Sequence, residues 1–390
     1  MNTIILGIDR LTADRTLAHR RVGLLAHPAS VNRRLRHTLA TLKESGAQLE
    51  ILFGPEHGFS GEAQDMEPVP DRKTHPSGLP LVSLYGDTAE SLAPSKSDLT
   101  GLDAMVVDLM DVGARYYTFV WTALLALRAC HKAGVEMYLA DRPNPISGVA
   151  VEGSPHQHPD FLSFVGLKPI ANRHGLTMGE ILTLAAKEEG LLDALTVVRM
   201  TGWRRDMFFD ETGHPFVPPS PNMPTLETAL VYPGMCLLEG TWASEGRGTT
   251  KPFELFGAPG VDSTTLAKRM TDFTLPGVRF RPATFKPGFQ KHHDRLVGGV
   301  QIHVTDRRRF LPYKTGVAAL LALKREMPSS FEWRHAPYEF VSDRPAIDLL
   351  TGSGAVREIV DNQGSLADAE ATWKPGEISF VEQREDYLLY

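Results

Sequence analysis

Leu49-Glu50-Ile51-Leu52-Phe53-Gly54-Pro55-Glu56-His57-Gly58 runs from an apolar stretch straight into a turn. The first five residues read as a buried strand. The next five put a carboxylate and an imidazole on a turn punctuated by Pro and two Gly. In open α/β sheets, ligands bind in the crevice beyond the carboxyl ends of the strands. The same design recurs nearby. Val22–Ala26 is a strand ending at His27, Asp103–Leu109 leads into Asp111 and Arg115, and Val135–Ala140 ends at Asp141-Arg142.

Between these strands the apolar spacing turns helical. Leu35, Leu39 and Leu42 fall on one face before Gly46, and Phe119–Ala133 forms a longer helix stopped by Gly134. Thr177-Met178-Gly179-Glu180 carries a capping box that opens a helix to Glu189, and Leu195–Met200 reads as a further strand. Strands alternating with helices predict an α/β fold with a parallel sheet covered on both faces. The stretch from Pro215 to Gly260 is rich in Pro, Gly, Ser and Thr and reads as a long functional loop. Beyond it, the alternating Val300–Val304 and the helical Thr315–Lys324 indicate a second, smaller α/β (α+β) unit. We expect a catalytic domain over 1–265 and a C-terminal auxiliary domain over 266–390.

Composition narrows the function. The 390 residues exceed one usual core. With 41 basic and 47 acidic residues the formal charge is −6, which argues against nucleic-acid binding. Two cysteines, Cys130 and Cys236, give neither a disulfide framework nor a thiol-rich metal site. No run reaches transmembrane length and no signal peptide is evident, so the expectation is a cytoplasmic protein without membrane insertion. Dinucleotide (Gly-x-Gly-x-x-Gly), Walker and Gly-x-Ser-x-Gly motifs are absent. His27, His57, Asp108 and Asp141 lack the tight spacing of a metal site, and no cofactor is expected.

Glu56 is the leading candidate for proton chemistry. Burial at the mouth of an apolar strand favours the protonated form that a general acid needs; capping of the next helix is the plainer alternative. His57 suits substrate contact or a loop carbonyl. Asp111, Arg115 and Tyr117 crowd one strand-to-helix junction, where an Arg fork would read a carboxylate. Asp141, Arg142 and Asn144 share a Pro-stiffened loop, with a local salt bridge as the alternative. Asn222 lies in a Pro-rich run. Ser244, Glu245, Arg247 and Thr249 sit among glycines that let backbone approach a polyhydroxylated or anionic ligand.

Six motifs in order carry a family resemblance. They are Phe53-Gly54-Pro55-Glu56-His57-Gly58, Asp111-Val112-Gly113-Ala114-Arg115, Asp141-Arg142-Pro143-Asn144-Pro145, Arg173-His174-Gly175, Pro219-Ser220-Pro221-Asn222-Met223-Pro224 and Ser244-Glu245-Gly246-Arg247-Gly248-Thr249-Thr250. With Tyr387-Leu388-Leu389-Tyr390, the chain resembles the NamZ-type exo-β-N-acetylmuramidases over nearly its whole length. The resemblance implies a Rossmann-like catalytic domain, an auxiliary domain and a site in the cleft between them. It also implies release of terminal N-acetylmuramic acid from peptidoglycan-derived saccharides of the MurNAc-GlcNAc type. The family's catalytic Glu maps onto Glu56, and the match adds His174 to the candidate ligand contacts. Asp111 and Glu245 are the candidate partner carboxylates, with participation by the substrate's own 2-acetamido group and a lyase-like elimination as the alternatives, and Arg115, Arg142 or Arg247 is the candidate reader of the lactyl carboxylate. The competing readings are a non-catalytic wall-fragment binder and a metal-dependent hydrolase of another anion. Oligomeric state is not legible.

Overall fold

The computed structural model describes residues 4–64, 66–67, 69 and 72–390; Met1, Asn2 and Thr3 of the N-terminal segment lie outside them. Helix α1 (Gly7–Ala13) precedes β1 (Arg21–Ala26), α2 (Thr38–Glu44) and β2 (Gln48–Gly54). Short β3 (Arg72–Thr74) and β4 (Pro80–Ser83) follow, then α3 (Lys96–Leu99), β5 (Ala104–Asp108), α4 (Phe119–Ala133), β6 (Glu136–Ala140), α5 (Met178–Glu189) and β7 (Leu195–Val198). The sheet order is β3-β4-β2-β1-β5-β6-β7, parallel except where β3 pairs antiparallel with β4. Without β3 this is the doubly wound order 3-2-1-4-5-6, whose switch point falls between β1 and β5.

Successive strand residues face opposite layers. Leu25, Phe53 and Val107 join the cluster around Trp121 of α4, whereas Leu24, Leu52 and Val106 pack toward Ile4, Leu6 and Ile8. Both faces are therefore apolar, which is why these strands read as continuous runs. The capping box at Thr177 forms, with Glu180 reaching back to the Thr177 nitrogen at 2.9 Å.

The loop expected over 215–260 contains more regular structure. Thr225 caps α6 (Leu226–Met235), a 3₁₀ turn follows over Cys236–Gly240, and β8 spans Leu255–Ala258. Helix α6 keeps Pro233 in its last turn and packs on α8 (Pro312–Glu326). The helices touch at paired glycines: a Cβ on Gly316 would lie 2.1 Å from the Gly234 carbonyl oxygen. Propensity hides such a helix, because its support is tertiary.

The second sheet has order β8-β10-β9, with β9 at Val278–Phe285 and β10 at Val297–Val304. It thus recruits β8 from ahead of the expected 265/266 boundary. Helices α7 (Ser263–Asp272), α9 (Ala346–Thr351), α10 (Ala355–Asp361) and α11 (Leu366–Arg384) complete this unit, and the Trp121 cluster continues through Leu230, Val317 and Phe380. No described helix is long and apolar enough to cross a membrane.

Asp141 ties the two units together. Its carboxylate accepts from the Gly179 nitrogen (2.9 Å), the Thr177 hydroxyl (2.8 Å) and the Tyr390 hydroxyl (2.8 Å). Burial pushes its carboxyl up to about 6, against the opposing pull of those donors. The native state then holds this proton more tightly than the unfolded chain. Its contribution to stability is present below the ordinary aspartate value of about 4 and is lost as pH rises through about 6. Asp141→Asn should flatten that slope, read as the difference from wild type in urea melts between those limits.

Candidate active site

At the carboxyl end of β2 the chain folds back on itself. A Cβ on Gly54 would lie 2.4 Å from the Phe59 nitrogen, so the residue must be glycine. His57 takes a left-handed φ of +70°, a conformation that non-glycine residues hold only under constraint. Its Nδ1 donates to the Ala63 carbonyl (3.0 Å), and its Nε2 lies 3.9 Å from Glu56 Oε1. Glu56 is 5% exposed and accepts from the Thr118 hydroxyl, at the start of α4, at 2.5 Å. Among the described residues no Lys or Arg pairs with it.

Both side chains open into one pocket. Tyr116, Tyr117 and Thr118 form one wall, Ser220 and Asn222 a second, and Tyr232, Glu239, Arg247 and Phe253 a third; Tyr338 and Glu339 close it from the C-terminal unit. Asn222 is held by Gln64 at 2.9 Å. The Tyr117 hydroxyl faces Ser220 without a well-formed hydrogen bond, so it presents an open polar atom to an occupant.

Of the candidates read from sequence, Glu56, His57, Tyr117, Asn222 and Arg247 line this pocket; the others do not. Arg115 is wholly buried and donates to the Ser154, Ile170 and Leu350 carbonyls at 2.7–2.8 Å. Desolvation lowers its guanidinium to about 10. Arg142 does not pair with Asp141 but grips Asp108 (2.5 and 2.9 Å). Asn144 braces a turn, donating to the Leu176 carbonyl and accepting from the Ile146 nitrogen. Ser244 accepts from the Gly246 nitrogen, and Thr249 donates to the Gly246 carbonyl.

Asp111 and His174 form a buried couple of their own. His174 Nδ1 accepts from the Leu176 nitrogen, so its Nε2 carries the proton toward Asp111 Oδ2 at 3.3 Å. Asp111 also accepts from the Gly113 nitrogen at 2.6 Å. Neither residue lines the pocket. Glu245 is likewise set back. Burial alone would raise its carboxyl, but Lys291 (2.9 Å) and Arg247 (3.1 Å) outweigh it and hold the group at about 2. That makes Glu245 a fixed anion rather than a proton carrier. The residues weighed for a metal are separately engaged: His27 is clamped between the Pro219 carbonyl and the Met110 nitrogen. Among the described residues no group of three His, Cys, Asp or Glu gathers at metal-ligating distance.

Two carboxylates escaped the sequence reading. Glu239 accepts from the Tyr338 hydroxyl (2.6 Å) and pairs with Arg247 (2.7 Å), whose guanidinium lies 4.9 Å over the Phe253 ring. Its position at the end of the apolar run Met235–Leu238, just before Gly240, repeats the signature of Glu56 and made it findable. Glu339 sits in Tyr338-Glu339-Phe340-Val341, which carries no turn residue and no signal.

A doubly wound α/β unit whose strand-end turn buries an acid in an aromatic, carboxylate-rich pocket has the makeup of a glycoside-cleaving enzyme. The family profile for the N-terminal part of exo-β-N-acetylmuramidase NamZ matches residues 22–227, and that for its C-terminal part residues 230–390. The chain belongs to this family. It is 42% identical over 387 residues to the peptidoglycan β-N-acetylmuramidase NamZ of Bacillus subtilis, covering 98% of this chain and 91% of that relative. Two solved structures of DUF1343 family proteins from Bacteroides fragilis share the fold over the full chain. One superposes with a TM-score of 0.87 at 31% identity over 100% of its length, the other with 0.78 at 27% over 99%.

Proposed function

We infer that this chain is an exo-acting β-N-acetylmuramidase that removes N-acetylmuramic acid from the non-reducing end of peptidoglycan fragments of the MurNAc-GlcNAc type. The observation that carries the reading is Glu56: buried, held by Thr118 and opening into a pocket walled by tyrosines, Ser220 and Asn222. In this mechanism Glu56 gives its proton to the glycosidic oxygen as the bond to the anomeric carbon breaks, and a water then supplies the hydroxyl that this carbon gains and the proton that restores the acid. Tyr117, Ser220 and Asn222 offer hydrogen bonds to the ring substituents. The test is release of free N-acetylmuramic acid from the MurNAc-GlcNAc disaccharide, followed by chromatography. A protein that binds the disaccharide without cleaving it would be a wall-fragment binder instead.

Arg247 is the reader of the lactyl group in this scheme, since of the three candidate arginines it is the one that lines the pocket. Glu239 and Glu245 fix its guanidinium at the pocket edge. Arg247→Met should weaken calorimetric binding of N-acetylmuramic acid about ten- to a hundredfold, the scale of a lost charged hydrogen bond. Binding of N-acetylglucosamine, which lacks the carboxylate, should change far less. Equal loss for both sugars would remove Arg247 from that role.

A further inference from the structure

Tyr338 and Glu339 reach the pocket on one tight turn. Tyr338 and Val341 exchange backbone hydrogen bonds (2.8 and 3.0 Å), leaving Glu339 and Phe340 as the two turn residues. Both have left-handed φ, +45° and +67°. Two-residue turns with both φ positive are the province of Asn-Gly and Gly-Gly, because side chains are strained there. This chain places a glutamate and a phenylalanine instead, so the surroundings must hold them.

Phe340 supplies that hold. Its ring packs 5.8 Å from Tyr85 and 6.2 Å from Phe164, which are themselves 6.1 Å apart. Tyr85 follows β4 and Phe164 precedes α5, so the triangle clasps the C-terminal turn onto the first unit. The Tyr85 hydroxyl donates to both oxygens of Glu339, at 3.1 and 3.3 Å. Glu339 is 4% exposed and lines the same pocket as Glu56.

We propose that Glu339, delivered by this strained turn and oriented by Tyr85, is the second catalytic carboxylate, which works with Glu56 in the same pocket. As the glycosidic bond breaks, positive charge builds at the anomeric carbon, and a fixed anion in the pocket stabilises it. Glu239, the other pocket carboxylate, holds the Arg247 guanidinium and accepts from the Tyr338 hydroxyl, which gives it a positioning task. Asp111 and Glu245 do not face the pocket. The auxiliary unit therefore completes the active site, and Tyr85 is a positioning residue contributed by the first unit. This inference rests on the muramidase reading above.

The test compares two substrates, MurNAc-GlcNAc and 4-nitrophenyl β-N-acetylmuramide. Glu339→Gln should lower kcat about a hundred- to ten-thousandfold on both alike, because charge develops at the anomeric carbon whatever the leaving group. Azide or formate, small anions that fit the space vacated in Glu339→Ala, should restore part of the rate. Tyr85→Phe keeps the aromatic clasp and should lower kcat about tenfold with little change in KM. Wild-type kcat in Glu339→Gln overturns the proposal. So does a folded Glu339→Ala with a native melting temperature and no response to either anion. Inactive wild-type protein on both substrates would sink the muramidase reading itself, a distinct result.

Discussion

Glu56→Gln should abolish cleavage of MurNAc-GlcNAc, lowering kcat about 10²- to 10⁴-fold, while sparing most turnover of 4-nitrophenyl β-N-acetylmuramide. The sugar leaving group departs as an alkoxide unless it receives a proton, and Gln cannot supply one. The 4-nitrophenolate ion is stable enough to leave unaided. The substitution is nearly isosteric, and the amide oxygen can still accept the Thr118 hydroxyl that now lies 2.5 Å from Glu56. Packing should survive, and the melting temperature should hold or rise, because a buried carboxyl group is replaced by a neutral amide. Steady-state kinetics on both substrates decides the matter. Equal losses on the two would mean that Glu56 does something other than protonate the leaving oxygen. No loss on the disaccharide would remove it from the chemistry. The contrast with Glu339→Gln, expected to hit both substrates, separates the two carboxylates by role.

Much of this was legible in the sequence, for a reason that also explains what was not. Parallel strands buried on both faces are written as unbroken apolar runs, so β1, β2, β5 and β6 announce themselves and their ends fall where the polar motifs lie. Helix α4 was legible to the residue, from its spacing and Gly134. Leu35, by contrast, belongs to the turn ahead of α2, with φ +58°; a leucine at helical spacing does not reveal that its backbone is left-handed. Helix α6 was hidden because its hold comes from α8, some eighty residues on.

The site divides in the same way. A strand-end motif tells which residues gather at one edge of a sheet, not which way each side chain turns. Arg115, Arg142, Asp141 and Asn144 have the composition of ligand groups, yet each satisfies buried carbonyls, amides or a partner charge. Polar groups buried beneath a cleft need partners as surely as those that face it. Glu239 and Glu339 enter the pocket from beyond residue 230, and only the packing of the second unit brings them there.

Asp108→Ala separates scaffold from site most sharply. Asp108 ends β5 at the switch point, the crevice where doubly wound folds bind their ligands. Here protein fills the crevice: the Asp108 carboxylate takes the Arg142 guanidinium and the Thr38 hydroxyl, and its carbonyl takes the Ser30 hydroxyl. Asp108 is fully buried and Arg142 is 6% exposed. Removing the carboxylate strands a guanidinium with the Val31 carbonyl alone among its described partners. Breaking a buried pair in this way costs about 3–5 kcal/mol, a large share of the roughly 5–15 kcal/mol that holds a domain folded. The thermal midpoint should fall by several degrees, and urea melts should show the loss. Replacing both partners with apolar residues, Asp108→Leu with Arg142→Met, should recover most of it, since the cost lies in the stranded charge. At low temperature, where each variant is folded, kcat on MurNAc-GlcNAc should stay within a few-fold of wild type, because neither residue lines the pocket. An Asp108→Ala protein that melts normally but no longer cleaves would move this pair from the scaffold into the chemistry.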